Sequence, residues 1–167
     1  MATAISRRGL LAGAIATAAA ALLVVSPISV GAHEHREIGE YTLVVGFINE
    51  PAVSGELNGL SLTVHQASTS ATPVAEGEDE GTPVEGLEST LQAEVILGDQ
   101  KMPLTLSTVW KTPGAYESWF IPTAPGDYSF HIWGTINGTQ IDETFTAGPD
   151  TFSTVTDRST IEFPKAS

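Results

Sequence analysis

Two of the four histidines in this 167-residue chain stand one residue apart, in "GAHEHREIGEY", where an apolar leader gives way to polar sequence as His33-Glu34-His35. Imidazole is the commonest protein metal ligand, and a free amino terminus, which ordinarily titrates at ~7.7–8.0, is a further nitrogen donor. A cut between Ala32 and His33 brings that amine and two imidazoles together at the start of a mature chain. Two binding modes follow. In the first, the amine, the amides of Glu34 and His35 and the His35 ring surround a metal in one plane, the tetragonal nitrogen geometry that suits Cu(II) or Ni(II). It requires histidine at the third mature position and no proline at the second or third, and the sequence complies. In the second, His33 chelates through its own amine and ring, and His65 or His131 adds a nitrogen from elsewhere in the fold. The competing reading of His-Glu-His is a charged junction that carries no metal.

Other chemistry is sparsely represented. The chain has no cysteine, which excludes disulfides, blue copper, zinc fingers and iron–sulfur clusters. There is no Gly-x-Ser-x-Gly elbow, no His-Glu-x-x-His helix, no phosphate-cradling glycine loop and no dinucleotide fingerprint. The acids "EGEDE" at 76–80 lack the spaced carboxylates and pivot glycine of a calcium loop. The expectation is a protein that is not an enzyme. With 20 acids against 7 bases and a net charge of −13, nucleic acid is not expected as a partner, because phosphates are repelled.

Upstream of the histidines, "SRRGLLAGAIATAAAALLVV" joins Arg7-Arg8 to an apolar run from Gly9 to Val25, followed by Pro27 and the small-residue end Val30-Gly31-Ala32. Residues 1–32 therefore read as a signal peptide of the twin-arginine type, cut before His33, with an uncleaved anchor as the rival reading. Cleavage leaves no transmembrane segment, and the expected location is extracytoplasmic: periplasm, cell envelope or secreted. The acids all survive while both leader arginines are lost.

Beyond an N-terminal arm at 33–40, the hydrophobic period is two. "YTLVVGFI" (41–48), "LSLTVHQ" (60–66), "LQAEVIL" (91–97), "PLTLSTVW" (103–110), "AYESWFI" (115–121), "DYSFHIW" (127–133) and "TQIDETF" (139–145) alternate or run apolar, as strands do. "NEP", "LGDQ", "KTPG", "PTAPG" and "NG" separate them. About seven short strands predict an all-β, immunoglobulin-like antiparallel β-sandwich over 41–147. Residues 67–86, rich in Ser, Thr, Pro, Gly and acids, read as a disordered acidic insertion. The tail, 148–167, is expected to dock on the sandwich through Phe152, Ile161 and Phe163.

One hairpin can be placed in register. Asn137-Gly138 favours a type I′ turn, which sets Ile136 against Thr139, Trp133 against Asp142, His131 against Thr144 and Phe130 against Phe145. Phe130, Ile132, Ile141 and Phe145 then face the core, while His131, Trp133, Asp142 and Thr144 face away. Glu143 falls on the core side, which tells against either the register or full burial of that edge. His131 beside Asp142 is a ligand with its carboxylate partner or a surface hydrogen bond. His65 closes the polar face of its strand, where a solvated or hydrogen-bonded histidine is ordinary. "PGDYSF" has the form of a tyrosine corner. Trp110, Trp119 and Trp133 are expected in the core or at its ends, with a ligand groove as the alternative.

"GEYTLVVGFINEP", "TPVEGLESTLQAEV" and "PGAYESWFIPTAPGDYSFHIWGTINGT" together resemble small exported bacterial sandwiches of the YtkA-like and CopC-like copper-resistance kind, over roughly residues 39–146. The resemblance implies a β-sandwich and, from the CopC-like side, a periplasmic Cu(II) carrier whose mature chain starts with histidine, matched here by His33. The Asp-Gly-His motif near the last hairpin of such proteins is replaced by Asn137-Gly138-Thr139, leaving His131 as the stand-in. Two functional expectations result. One is an extracytoplasmic copper(II)-binding or copper-delivery protein with His33 and His35 as principal ligands and His65 or His131 as auxiliaries. The other is an exported module, without metal, that binds a protein or envelope partner through a sheet edge or loops.

Overall fold

The computed structural model describes residues 33–67 and 81–165; the expected signal peptide and residues 68–80 of the acidic insertion lie outside this range. The strands are β1 (Glu34–Ile38), β2 (Tyr41–Phe47), β3 (Asn58–Gln66), β4 (Thr82–Pro83), β5 (Leu91–Leu97), β6 (Gln100–Leu104), β7 (Ser107–Thr108), β8 (Ala115–Phe120), β9 (Ser129–Ile136) and β10 (Thr139–Thr146). One sheet runs β1-β2-β3-β8-β7, with β4 also on β3, and the other runs β10-β9-β5-β6. Every pairing between them is antiparallel. The molecule is an antiparallel β-sandwich.

The core follows from the alternation. Leu43 and Val45 of β2, Leu60, Leu62 and Val64 of β3, and Phe130, Ile132, Ile141 and Phe145 of the last hairpin are all fully buried. Residues directly opposite on neighbouring strands share a face, so one phase of each long strand fills the seam between the sheets, while β4 and β7 are exposed and β6 buries only Leu104. Phe47 meets Phe130 and Phe152 edge to face in that seam, and Phe130 and Phe152 are tilted against each other, with ring centroids 5.3–5.7 Å apart. Phe152 and Val155 anchor the tail there, the latter bridging to Gly126. Ile161 and Phe163, by contrast, remain exposed and do not dock.

The β9–β10 register is the one read from Asn137-Gly138, pair for pair. Asn137 and Gly138 have φ of 47° and 91°, the left-handed values a type I′ turn needs. The tyrosine corner is present, since the Tyr128 hydroxyl donates to the Ala124 carbonyl at 3.0 Å.

Four local readings change. The arm at 33–40 is largely an edge strand, β1. The single strand expected at 103–110 is instead divided between the two sheets: the two-residue turn at Gly98-Asp99 sets Gln100 against Leu97 and starts β6, which ends at Leu104, and Ser107–Thr108 then forms β7 against β8 on the other sheet. The last residues of the expected insertion are built into the fold: Thr82–Pro83 forms β4 against β3, and the Val84 carbonyl accepts from the Tyr116 hydroxyl at 2.7 Å. None of the three tryptophans is a core residue; Trp110 is 85% exposed, Trp119 47%, and Trp133 lies half-buried on an outer face.

Glu143 does face inward, and Arg36 is the reason that edge tolerates it. Arg36, on the inward phase of β1, donates to Glu143 at 2.7 Å and to the Thr144 carbonyl at 3.1 Å. It also pairs with Glu34 and lies 4.3 Å above the centre of the Phe145 ring. Burial works to lower the guanidinium pKa, but the hydrogen bonds to Glu143 and then Glu34 outweigh it and raise it. One cation thus joins the edge strands of the two sheets. Arg36→Ala should cost about 1–2 kcal/mol in urea unfolding, within the range for a charge-assisted hydrogen bond in a partly buried setting. Glu143→Ala should be non-additive with it by roughly 1 kcal/mol, as expected for directly bonded neighbours.

Candidate functional site

The four histidines occupy three separate environments. His35 is exposed on β1, opposite Val44, on the outer face of the β1-β2-β3-β8-β7 sheet. His33 is half-exposed just before that strand. His65 lies on the same outer face but is only 6% exposed, flanked across the sheet by Thr42 and Pro83. From strand spacing and rise, two strands over and two residues along, its Cα is on the order of 12 Å from that of His35. His131 is on the outer face of the other sheet. Two packed sheets are ~10 Å apart, and outward side chains on opposite faces diverge from there, so the fold does not bring His131 to His33 or His35. Among the described residues, no group of three His, Cys, Asp or Glu side chains is arranged to hold a metal ion.

Strand geometry also bears on the planar mode expected at the N-terminus. Along an extended strand, successive amides point to opposite sides, one toward the neighbouring strand and the next toward solvent. The amides of Glu34 and His35 therefore diverge while β1 is paired with β2. Planar chelation through both needs the first residues of β1 to leave the sheet. Side chains at i and i+2 of a strand, however, share a face, and the alternation continued back by one residue carries His33 to the side of His35.

His131 has a different task. Its Nδ1 is 3.0 Å from Glu94 Oε1, directly across on β5, and its Nε2 is 2.8 Å from Asp142 Oδ1, diagonally placed on β10. Lys101 of β6 donates to the same Glu94 oxygen at 2.8 Å. The imidazole is stacked on Trp133, centroid to centroid 4.6 Å. Ionised carboxylates only accept hydrogen bonds, and neutral imidazole has a single N–H, so both contacts are satisfied only by the protonated ring. The hydrogen bond to Asp142, followed by that to Glu94, accordingly raises the His131 pKa. Lys101 first, and then His131, lower that of Glu94. Lys101, Glu94, His131 and Asp142 thus form a line of alternating charge across all four strands. With both nitrogens occupied, the ring is a cationic tie between strands and has no free lone pair for a metal.

The His131–Asp142 contact was legible from the hairpin register. Glu94 and Lys101 were not, because their place depends on β5 pairing with β9, and no short turn in the sequence specifies that. A second feature missed in the sequence is an apolar outer surface around Trp119. Its signal is the phase of "AYESWF": once Tyr116 and Phe120 set the core side, Trp119 must face out.

No protein-family model, curated protein or solved structure matches the chain.

The sign of the pH dependence at the His131 cluster follows from the two shifts. The His131 pairing stabilises the fold fully below its ordinary pKa of 6.5 and is lost as pH rises through its raised value. The Glu94 pairing is present above its ordinary 4.5 and is lost as pH falls through its lowered value. NMR titration of the His131 ring should give a pKa above the ordinary imidazole range, and Asp142→Asn should return it toward that range.

Proposed function

We propose that this chain is a non-catalytic, extracytoplasmic protein that binds copper(II) at its processed N-terminus, with the His33 amine, the His33 ring and the His35 ring as nitrogen donors. The observation that carries this reading is the position of the pair: an exposed histidine at the outset of an edge strand, with a second imidazole two positions before it on the same alternation. This three-nitrogen arrangement leaves β1 paired with β2, whereas the planar arrangement disrupts it. Imidazole and amine nitrogens suit Cu(II), which ranks highest among the divalent first-row metals in affinity for such donors. His65, covered on its face of the sheet, and His131, committed to two carboxylates, leave the ligand set. The twin-arginine leader and the resemblance to CopC-like carriers, whose mature chains begin with histidine, support the location and the metal. Among the described residues no helix is long and apolar enough to cross a membrane.

The test begins with intact mass of the exported protein, which should start at His33. Cu(II) titration followed by visible absorption should reveal a nitrogen-rich band. His33→Ala and His35→Ala should each weaken binding by at least about 10–100-fold, the loss that even an outer partner of a metal ligand brings, while His65→Ala and His131→Ala bind as the parent does. Loss in His35→Ala alone selects the planar mode. A retained leader, a start at another residue, or a correctly processed chain that takes up no copper overturns the proposal.

A further inference from the structure

The outer face around β8 carries an apolar surface with no role in the fold. Tyr116, Ser118 and Phe120 of β8 face the seam, so Trp119 and the following Ile121 face outward. Trp119 is opposite Gly59 and Phe120 opposite Asn58; the same register continued sets Leu57 beside Ile121. Leu57 is 60% exposed, Trp119 47% and Ile121 51%. Ile48 extends the surface, since a Cβ built on Gly59 would come within 2.8 Å of its Cδ1. Round the end of β8, Ile121 also lines a cleft of about 260 Å³ with Leu97, Met102, Phe120 and Tyr128, and Met102 is 43% exposed. Four large exposed apolar side chains thus gather at one pole of the sandwich, where solvent contact is costly unless a partner covers them.

The pole is rigidly built. Gly55 donates to the Pro122 carbonyl at 2.8 Å, and Ser54 to the Thr156 carbonyl at 2.9 Å, so two loops and the tail hold one another. Little ordering is left to oppose binding. Trp119 itself is outside the cleft, but its chain neighbours Phe120 and Ile121 line it, and tryptophan is among the side chains enriched at interface hot spots.

The sheet edges, by contrast, are defended against strand addition. β1 presents Glu34, Arg36 and Glu37, β6 contains Lys101 and Pro103, β7 has two residues, and β10 carries Asp142 and Glu143. Charges, proline and shortness are the devices that block pairing at an edge. A partner therefore docks on the face, by side chains.

Charge decides which partner. Lys101, in the wall of the cleft, is neutralised by Glu94 at 2.8 Å, whereas Glu56, which adjoins Leu57, and Glu117, two residues from Trp119 on the same face, have no ion-pair partner among the described residues. The chain as a whole carries −13. A second copy would set like charges against one another, and an anionic lipid surface would be repelled in the same way. We infer that this pole is the docking surface for a basic protein segment that places a bulky apolar side chain against Trp119 and the neighbouring cleft. The surface is separate from His33 and His35, and the inference stands independently of copper.

Three synthetic peptides of about a dozen residues serve as probes with the full chain: alternating Lys-Leu, Glu-Leu and Lys-Ser. By calorimetry the Lys-Leu peptide should bind one to one and the other two at least tenfold more weakly, with affinity falling as salt is raised. Trp119→Ser, at an exposed position, should keep the melting temperature and lose the binding. Glu56→Lys combined with Glu117→Lys should reverse the preference toward Glu-Leu. Each of several results overturns the inference: no saturable binding of Lys-Leu, equal binding of Glu-Leu, unchanged binding in Trp119→Ser, a wild-type dimer in sedimentation that Trp119→Ser dissolves, or capture of the chain by phosphatidylglycerol vesicles through Trp119.

Discussion

The long strands of this protein, β2, β3, β5, β8, β9 and β10, have to give one phase of their side chains to the seam between two sheets. Everything else in the structure follows from that constraint. Leu43, Val45, Leu62, Phe130 and Ile141 are wholly buried because their phase is the inward one; removal of such apolar area from water is the main favourable term in folding. The polar side chains capable of chemistry are left on two outer faces that point away from each other. The separation of His131 from the other histidines is a direct consequence of the same alternation that makes the core.

Where the seam reaches its open side, apolar burial gives way to charge. Arg36 occupies an inward position that a larger sandwich would give to a hydrophobe, and it is held there by Glu143, Glu34 and the face of Phe145. A guanidinium is suited to the place because it is planar, weakly hydrated and able to donate in several directions. On the opposite sheet, His131 plays the comparable part in cationic form between Glu94 and Asp142. In a chain with 20 acids and 7 bases, Arg36, Lys101 and His131 tie in acids from other strands, while Arg158 pairs with Glu162 within the tail. Arg36, Lys101, His131 and Arg158 are all paired with acids.

These commitments shape the functional reading. A histidine bonded through both nitrogens is a structural cation, and one covered on the face of a sheet is not readily reached, so the ligand function proposed here concentrates on His33 and His35. The apolar pole is at another part of the same sheet, built from β8 and the loops that brace it. The fold thereby offers an N-terminal nitrogen cluster and a hydrophobic contact surface that do not share residues.

Much of the fold was legible because short-range rules specify it. Alternation named six strands, β2, β3, β5, β8, β9 and β10, and ran β6 and β7 together as one; Asn137-Gly138 fixed a whole hairpin register through its two positive φ angles, and "PGDYSF" announced a hydroxyl-to-backbone bond four residues back. Charged "EHREI" gave no such signal, since β1 is a strand only by virtue of β2 beside it and Glu143 across the seam. The inward placement of Glu143 was legible, but the cation that permits it was not, being 107 residues away in sequence. Likewise the aromatic character of Trp119 predicted burial, and only the phase imposed by Tyr116 and Phe120 turned it outward. The sequence by itself determined periodicity, turns and the clustering of two histidines, which depend on neighbours along the chain. Tertiary structure alone decided which strands meet and therefore which charges pair, because those contacts join residues that no local rule connects.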